Sequence, residues 1–309
     1  MKILVTPRSF GKANPELFER LRAAGLDVTR NDSGGILSRE AMQEKLADCA
    51  GVILGIDPLD AGVLAAAPQL RAVAKYGVGL DNIDLEVCKA RGIRVSRTVG
   101  ANSEAVADYA FALMLAVARK LVPIHTRCCA RDWGKITSID IYGKTLGIVG
   151  LGAIGRCVAR RAQGFGMRVL AHDVIWDADY AARAGIRRVD LDTLCREADV
   201  ISLHAALTPE NRQCINAARI ALMRENAILI NTARGELVDE AALLAALKQG
   251  RIYGAGLDVF MQEPPAASDW YELDNVVMGS HCSSSTAGAT ACMGHMAVDN
   301  LLRDLGLAD

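Results

Sequence analysis

Two stretches of the 309-residue chain carry residues whose types and spacing suit chemistry. The first is TLGIVGLGAIGRCVARRAQGFGMRVLAHD, Thr145 to Asp173, where Gly150, Gly152 and Gly155 follow an apolar run in the spacing G-x-G-x-x-G. Gly150 permits a tight turn, Gly152 lets the backbone approach a pyrophosphate, and Gly155 lets the following helix lie close on the strand. The helix start at Ala153 and Ile154 offers N–H groups and the positive end of the helix dipole to the phosphates. Asp173, about twenty residues beyond the first glycine, can accept hydrogen bonds from the adenosine ribose hydroxyls. It would repel a 2′-phosphate, and Val174, Ile175 and Trp176 supply no cation to neutralise one, so NAD is expected rather than NADP. A glycine-rich turn without a ligand is the competing reading, but strand, helix and acidic residue all stand in place.

The second stretch is VVMGSHCSSSTAG, Val276 to Gly288, in which His281 follows an apolar run and sits beside Cys282. A histidine titrates near neutrality and can move a proton. Most loop histidines do no chemistry, so this stretch alone does not assign one.

The elements that must position these residues are short aliphatic runs alternating with helical patterns. Strands are expected at Lys2–Thr6, Leu26–Arg30, Val52–Leu54, Arg71–Ala74 and Ile93–Val95. Further strands are expected at Thr145–Val149, Met167–Ala171, Val200–Leu203, Ala227–Asn231, Gly256–Val259 and Val276–Met278. Strand–helix repetition of this kind argues for parallel sheets covered on both faces. The fold expected is α/β, with two doubly wound parallel-sheet domains, Rossmann-like or flavodoxin-like, and an interdomain cleft. Residues 1–98 plus 287–309 would form the substrate-binding (catalytic) domain and 99–286 the NAD-binding Rossmann domain. Asn102 or Ser103 can cap the apolar helix that follows, and 131–142 reads as a polar arm.

Composition excludes several classes. Formal net charge is −1, with Lys and Arg scattered, so no basic stripe exists for a nucleic acid. The stretch Tyr109–Ala118 is about half a bilayer span, and MKILVTPRSF reads as a first strand rather than a signal peptide. Nine cysteines without a C-x-x-C pair suggest a reduced, cytoplasmic protein. The five histidines and the cysteines lack metal-ligand spacing, so no metal is expected.

Five motifs occur in one order: KYGVGLDNID (Lys75–Asp84), GANSEAVADYAFALMLAVAR (Gly100–Arg119), ILINTARGELVDEAALLAAL (Ile228–Leu247), GAGLDVFMQEPP (Gly254–Pro265) and GSHCSSST. Together they closely resemble the D-isomer-specific 2-hydroxyacid dehydrogenases, from about Val52 onward, and in particular the phosphoglycerate dehydrogenase-like and hydroxypyruvate or glyoxylate reductase branch. The resemblance implies a catalytic Arg234, Glu263 and His281. The chemistry agrees: a guanidinium clamps the carboxylate of a 2-hydroxy or 2-keto acid and polarises its keto oxygen. His281 then moves the proton that accompanies hydride transfer, with Glu263 holding the far ring nitrogen.

The resemblance also places Asp258 at the nicotinamide carboxamide, Thr232 and Ala233 beside the nicotinamide ribose, and His204 and Thr208 along the same groove. Asp258 as a strand-end cap is an equally open reading. The loop holding Tyr76, Val78 and Gly79 is implied to receive the substrate carboxylate through backbone N–H groups, though a plain turn also explains it. Asn102 either contacts substrate or caps its helix. A homodimer built on helix Asn102–Lys120 and the following arm is implied as well. The alternatives within the resemblance are a non-catalytic NAD(H)-sensing binding protein of the corepressor type and a phosphite- or phosphonate-related dehydrogenase. Formate dehydrogenases place Gln where Glu263 stands.

The pattern departs at Ser280 and Val99, where proline is usual. Arg8 and Arg97 are two candidates for a distal anionic group, and a solvent-facing Arg97 fits as well. Asp57 stands in a loop where phosphoglycerate-specific members tend to present a cation.

Overall fold

The computed structural model describes residues 1–266 and 268–308. Asp309, the last residue of the expected first domain, lies outside them. The chain divides into two compact units, Met1–Asn102 with Ser284–Asp309, and Ser103–Ser283.

The first unit is built on strands β1 (Lys2–Val5), β2 (Asp27–Arg30), β3 (Gly51–Leu54), β4 (Ala72–Lys75) and β5 (Arg94–Arg97). They form one sheet in the order β2-β1-β3-β4-β5, with every pairing parallel. Helices α1 (Glu16–Ala23), α2 (Arg39–Leu46), α3 (Ala61–Ala65) and α4 (Leu85–Ala90) alternate with the strands. Side chains cap three of them: Ser38, Asp60 and Asp84 accept from Ala41, Val63 and Val87 N–H. The fully buried runs of β3 and β4 show why these strands read as continuous apolar segments.

The second unit opens with α5 (Ser103–Ala118) and α6 (Leu121–Cys129), separated at Lys120, whose φ is +48°. Strands β6 (Thr145–Val149), β7 (Arg168–His172), β8 (Arg187–Arg188), β9 (Val200–Leu203), β10 (Ile228–Asn231), β11 (Gly254–Leu257) and β12 (Val276–Met278) form the second sheet. Its order is β12-β11-β10-β9-β6-β7-β8, again all parallel. Between them run α7 (Ala153–Gly164), α8 (Ala178–Arg183), α9 (Leu191–Glu197), α10 (Ala217–Leu222) and α11 (Glu240–Lys248). The last helix, α12 (Ala287–Leu305), belongs to the first unit and buries Ala297, Val298 and Leu301 with Ile3, Ile53 and Ala72.

Two differences from the expected elements have physical causes. The eleventh strand starts at Gly254, which pairs with Ile228, rather than at Gly256, and α5 lies directly on it. A Cβ at Gly254 would stand 2.7 Å from Val117 Cγ1, and one at Gly256 2.8 Å from Leu113 Cβ. Close helix packing therefore selects glycine where strand propensity would not. Nor do Asn102 and Ser103 cap α5 as expected: Asn102 Oδ1 and Ser103 Oγ are buried without a hydrogen-bond partner. Ion pairs instead tie α5 to α7, from Glu104 to Arg160 and Arg161 and from Asp108 to Arg161.

Candidate active site

The switch point of the second sheet lies between β6 and β9, where strand order reverses, and there the glycine turn leaves β6. Gly150 adopts φ +93°, and a Cβ there would meet the Ala205 backbone at 2.5 Å. At Gly155 a Cβ would lie 2.1 Å from Gly150 O, whereas at Gly152 it would meet nothing within 4 Å. The turn is thus closed where chain packs on chain and open at the one glycine assigned to a ligand. Gly152 caps α7 with no side-chain hydrogen bond, and the helix opens on exposed Ala153 and half-buried Ile154. Asp173, at the end of β7, accepts from Leu151 N–H at 2.5 Å and Ile175 N–H at 2.9 Å. A carboxylate has about four lone-pair sites, so capacity remains for hydroxyl donors.

Along the same edge, Thr232 Oγ1 and His204 Nδ1 are buried without partners. His204 Nε2 lies 2.8 Å from Ser202 Oγ, and burial holds the imidazole pKa down at about 3, so the ring is neutral. Two orphaned polar atoms beside an open glycine turn suit a polar ligand such as NAD. Thr208 is exposed, and its N–H donates to Asn211 Oδ1.

After β10, Asn231 organises the loop that carries Arg234. Asn231 is 1% exposed; its Oδ1 accepts from Ala233 N–H and its Nδ2 donates to Arg234 O. This side-chain turn is an Asx motif, a signal present in the letters NTA that sequence reasoning passed over. The Arg234 guanidinium donates to Ala233 O at 2.7 Å.

Asp258 follows β11 and is 0% exposed. Its Oδ1 accepts from Cys282 N–H at 2.9 Å, its Oδ2 from Ser283 N–H at 2.8 Å, and its carbonyl from His281 N–H at 2.8 Å. Three bonds therefore hold the loop after β12 in place, and in it His281 adopts φ +56°. Gly279 makes room for this clamp: a Cβ there would lie 2.2 Å from Asp258 Oδ1 and 2.7 Å from Tyr109 Oη. Cys282 Sγ donates to Tyr109 Oη at 3.3 Å.

The clamp aims His281 at Glu263, with Nδ1 2.9 Å from Oε2. A carboxylate only accepts, so Nδ1 carries the proton and Nε2 is left for other chemistry. Glu263 Oε1 also accepts from Phe260 N–H at 3.2 Å. Burial raises the Glu263 carboxyl, but the His281 hydrogen bond and charge, the Phe260 N–H and the Arg234 charge outweigh it. The net pKa lies below the usual carboxylate value. His281, Glu263, Asp258 and the Arg234 loop thus gather at the C-terminal ends of β10, β11 and β12, the edge where open α/β sheets bind ligands.

The other candidates stand in the first unit. Tyr76 Oη donates to Thr290 O at 3.0 Å, and its ring packs edge-on against Phe10. Gly77, with φ +140°, donates its N–H to Thr98 Oγ1; the bend runs from Tyr76 to Val78, and Gly79 follows it. Arg97 is exposed, and Arg8 is exposed with Nη1 3.3 Å from Gly34 O. Asp57, in the loop where phosphoglycerate-specific members tend to present a cation, is 3% exposed and accepts from Leu37 N–H at 2.8 Å, so it holds a loop.

An open parallel sheet with a dinucleotide turn at its switch point, and an imidazole–carboxylate pair on the same edge, defines a nucleotide-dependent oxidoreductase. Residues 111–283 match the family described as D-isomer specific 2-hydroxyacid dehydrogenase, NAD binding domain. A glyoxylate reductase of Korarchaeum cryptofilum is 44% identical over 273 residues, covering 86% of this chain and 82% of that one. The TT0316 protein of Thermus thermophilus superposes with a TM-score of 0.90 at 39% identity, covering 100% and 98% of the two chains. A D-lactate dehydrogenase of Aquifex aeolicus, solved with NAD and lactic acid, gives 0.85 at 30% identity, covering 99% and 97%. The chain belongs to the D-isomer specific 2-hydroxyacid dehydrogenases, and it is an NAD-dependent enzyme.

Proposed function

We propose that the protein reduces a small 2-keto acid of the glyoxylate or hydroxypyruvate kind to the D-2-hydroxy acid, and catalyses the reverse oxidation when product is in excess. The observation that carries this reading is the His281–Glu263 pair, 2.9 Å apart, on the sheet edge that holds the glycine turn. Bound NAD(H) supplies or accepts the hydride at the substrate's C2. Gly150, Gly152, Ala153, Ile154 and Gly155 would cradle its phosphates, Asp173 its adenosine ribose, and His204, Thr208, Thr232, Ala233 and Asp258 would line its nicotinamide half.

Arg234 binds the substrate carboxylate and withdraws charge from the keto oxygen, as a planar fork of donors can. His281 Nε2 gives a proton to that oxygen in reduction and takes it back in oxidation. Glu263 keeps the Nδ1 proton in place, which leaves Nε2 for the substrate oxygen. Tyr76, Val78, Gly79 and Asn102, on the first unit, are proposed as further substrate contacts.

The glyoxylate reductase likeness supports the substrate class. We also propose a homodimer formed through α5 and the arm 131–142, whose Trp133 and Tyr142 are 81% and 78% exposed. A cytoplasmic location is supported by nine free cysteines.

The deciding assay follows NADH and NADPH oxidation with glyoxylate, hydroxypyruvate, pyruvate and phosphorylated keto acids. Turnover with NADH on the small unphosphorylated acids is expected. Failure with every acid would end this reading.

A further inference from the structure

We infer that Glu240 is a positioning residue for the proton-transfer pair, fastening the backbone that leads into Glu263 against the turn that carries Arg234. This rests on the reading of Glu263 and His281 given above. Glu240 opens α11 and is half-buried, with Asp239 beside it capping the helix. Its Oε1 accepts from Met261 N–H at 2.5 Å, while the neighbouring Phe260 N–H is taken by Glu263 Oε1. Two consecutive N–H groups of one loop are therefore held by two carboxylates, one of them the partner of His281.

The other side of the same peptide abuts the Arg234 turn. A Cβ at Gly235 would lie 2.1 Å from Phe260 C and 2.3 Å from Met261 N, so the two backbones touch without intervening side chains. Phe260 is buried and packs edge-on against Trp270, which fixes the loop from below. Any shift of the Phe260–Met261 peptide thus moves the Arg234 turn and the Glu263 anchor together. Glu240 is the side chain that holds this peptide from α11.

Glu240 also adds charge. Burial raises its pKa, Met261 N–H lowers it, and the Glu236 and Glu263 charges raise it. Around Glu263 the charged groups are His281, Arg234 and Glu240, with the Asp258 carboxylate under the His281 loop. Glu240 thus adds a second carboxylate beside Glu263, next to the proton-transfer pair.

The test measures NADH affinity and the pH profile of kcat/KM for keto-acid reduction in Glu240→Ala, Glu240→Gln and Glu263→Gln. Glu240→Ala is expected to lower kcat about ten- to a hundred-fold, as a misplacement of catalytic groups by about 1 Å can, at unchanged NADH affinity. Glu240→Gln keeps an oxygen acceptor for Met261 N–H and should recover most of that loss. It removes a negative charge, so its high-pH limb should move to lower pH. Wild-type kcat in Glu240→Ala overturns the inference, as does a Glu240→Gln protein as impaired as the alanine variant with an unmoved limb. If Glu240→Ala does not fold, the limb shift of Glu240→Gln decides. Wild-type activity in Glu263→Gln would sink the underlying pair itself, whatever Glu240 does.

Discussion

Replacing Asp258 by Asn tests whether a buried carboxylate sets the catalytic loop. Its two oxygens accept from Cys282 and Ser283 N–H at 2.9 and 2.8 Å, and no part of the residue reaches solvent. Hydrogen bonds to a charged group contribute about 1.5–3 kcal/mol each. Asparagine retains one oxygen, uncharged, and turns its amide N–H₂ toward the other buried N–H donor. The net loss is about 3 kcal/mol, one charge-assisted bond removed and one weakened. For a unit of this size that lowers the melting temperature by about 6–12 °C. Calorimetry without added nucleotide is the assay, because any contact to nicotinamide then makes no contribution. The loop also holds His281 at φ +56°, so kcat should fall along with stability. An Asp258→Asn protein melting within about 1 °C of wild type would refute the clamp.

Arg234→Lys replaces a planar fork by a point charge and should lower kcat/KM about a hundredfold with NADH affinity retained, read by steady-state kinetics. Gly155→Ala forces a Cβ to 2.1 Å from Gly150 O, a backbone atom, and should cost about 1–3 kcal/mol together with most NADH binding. Nucleotide fluorescence titration checks this. Glu104, paired with Arg160 and Arg161, has its pKa drawn down to about 2 by those hydrogen bonds. A depressed carboxylate pKa stabilises the fold above its ordinary value of 4.5 and loses that contribution as pH falls toward 2. Glu104 is more than half exposed, so Glu104→Gln should cost about 1 kcal/mol or less at neutral pH. Urea unfolding should show the difference vanish near the acid end.

Much of this architecture is legible in the sequence because parallel strands buried on both faces leave continuous apolar runs, as in β3 and β6. The glycine turn is legible for a similar reason: Gly150 and Gly155 each answer a separate steric demand, and Gly152 leaves open space. What escaped sequence reasoning depends on contacts distant along the chain. Gly254 and Gly256 look like poor strand residues until α5 is seen lying on them. Asp57 reads as an acidic loop residue, and its bond to a backbone N–H twenty residues away leaves no local signal. Asp258 is the sharpest case, since its bonds to Cys282 and Ser283 cross 24 and 25 residues. Local propensity carries no trace of such a pairing. The Glu240–Met261 bond, spanning 21 residues, is hidden in the same way.

The central claim is that His281, held by Glu263, transfers the proton that accompanies hydride transfer. It is tested most directly by comparing wild type with His281→Asn at saturating NADH and keto acid. NADH affinity should be unchanged and kcat should fall about 10²–10⁴-fold, the range for loss of a general acid. The high-pH decline expected of the wild type should be absent from the residual rate. A His281→Asn enzyme with wild-type kcat and an unaltered pH profile would contradict the account.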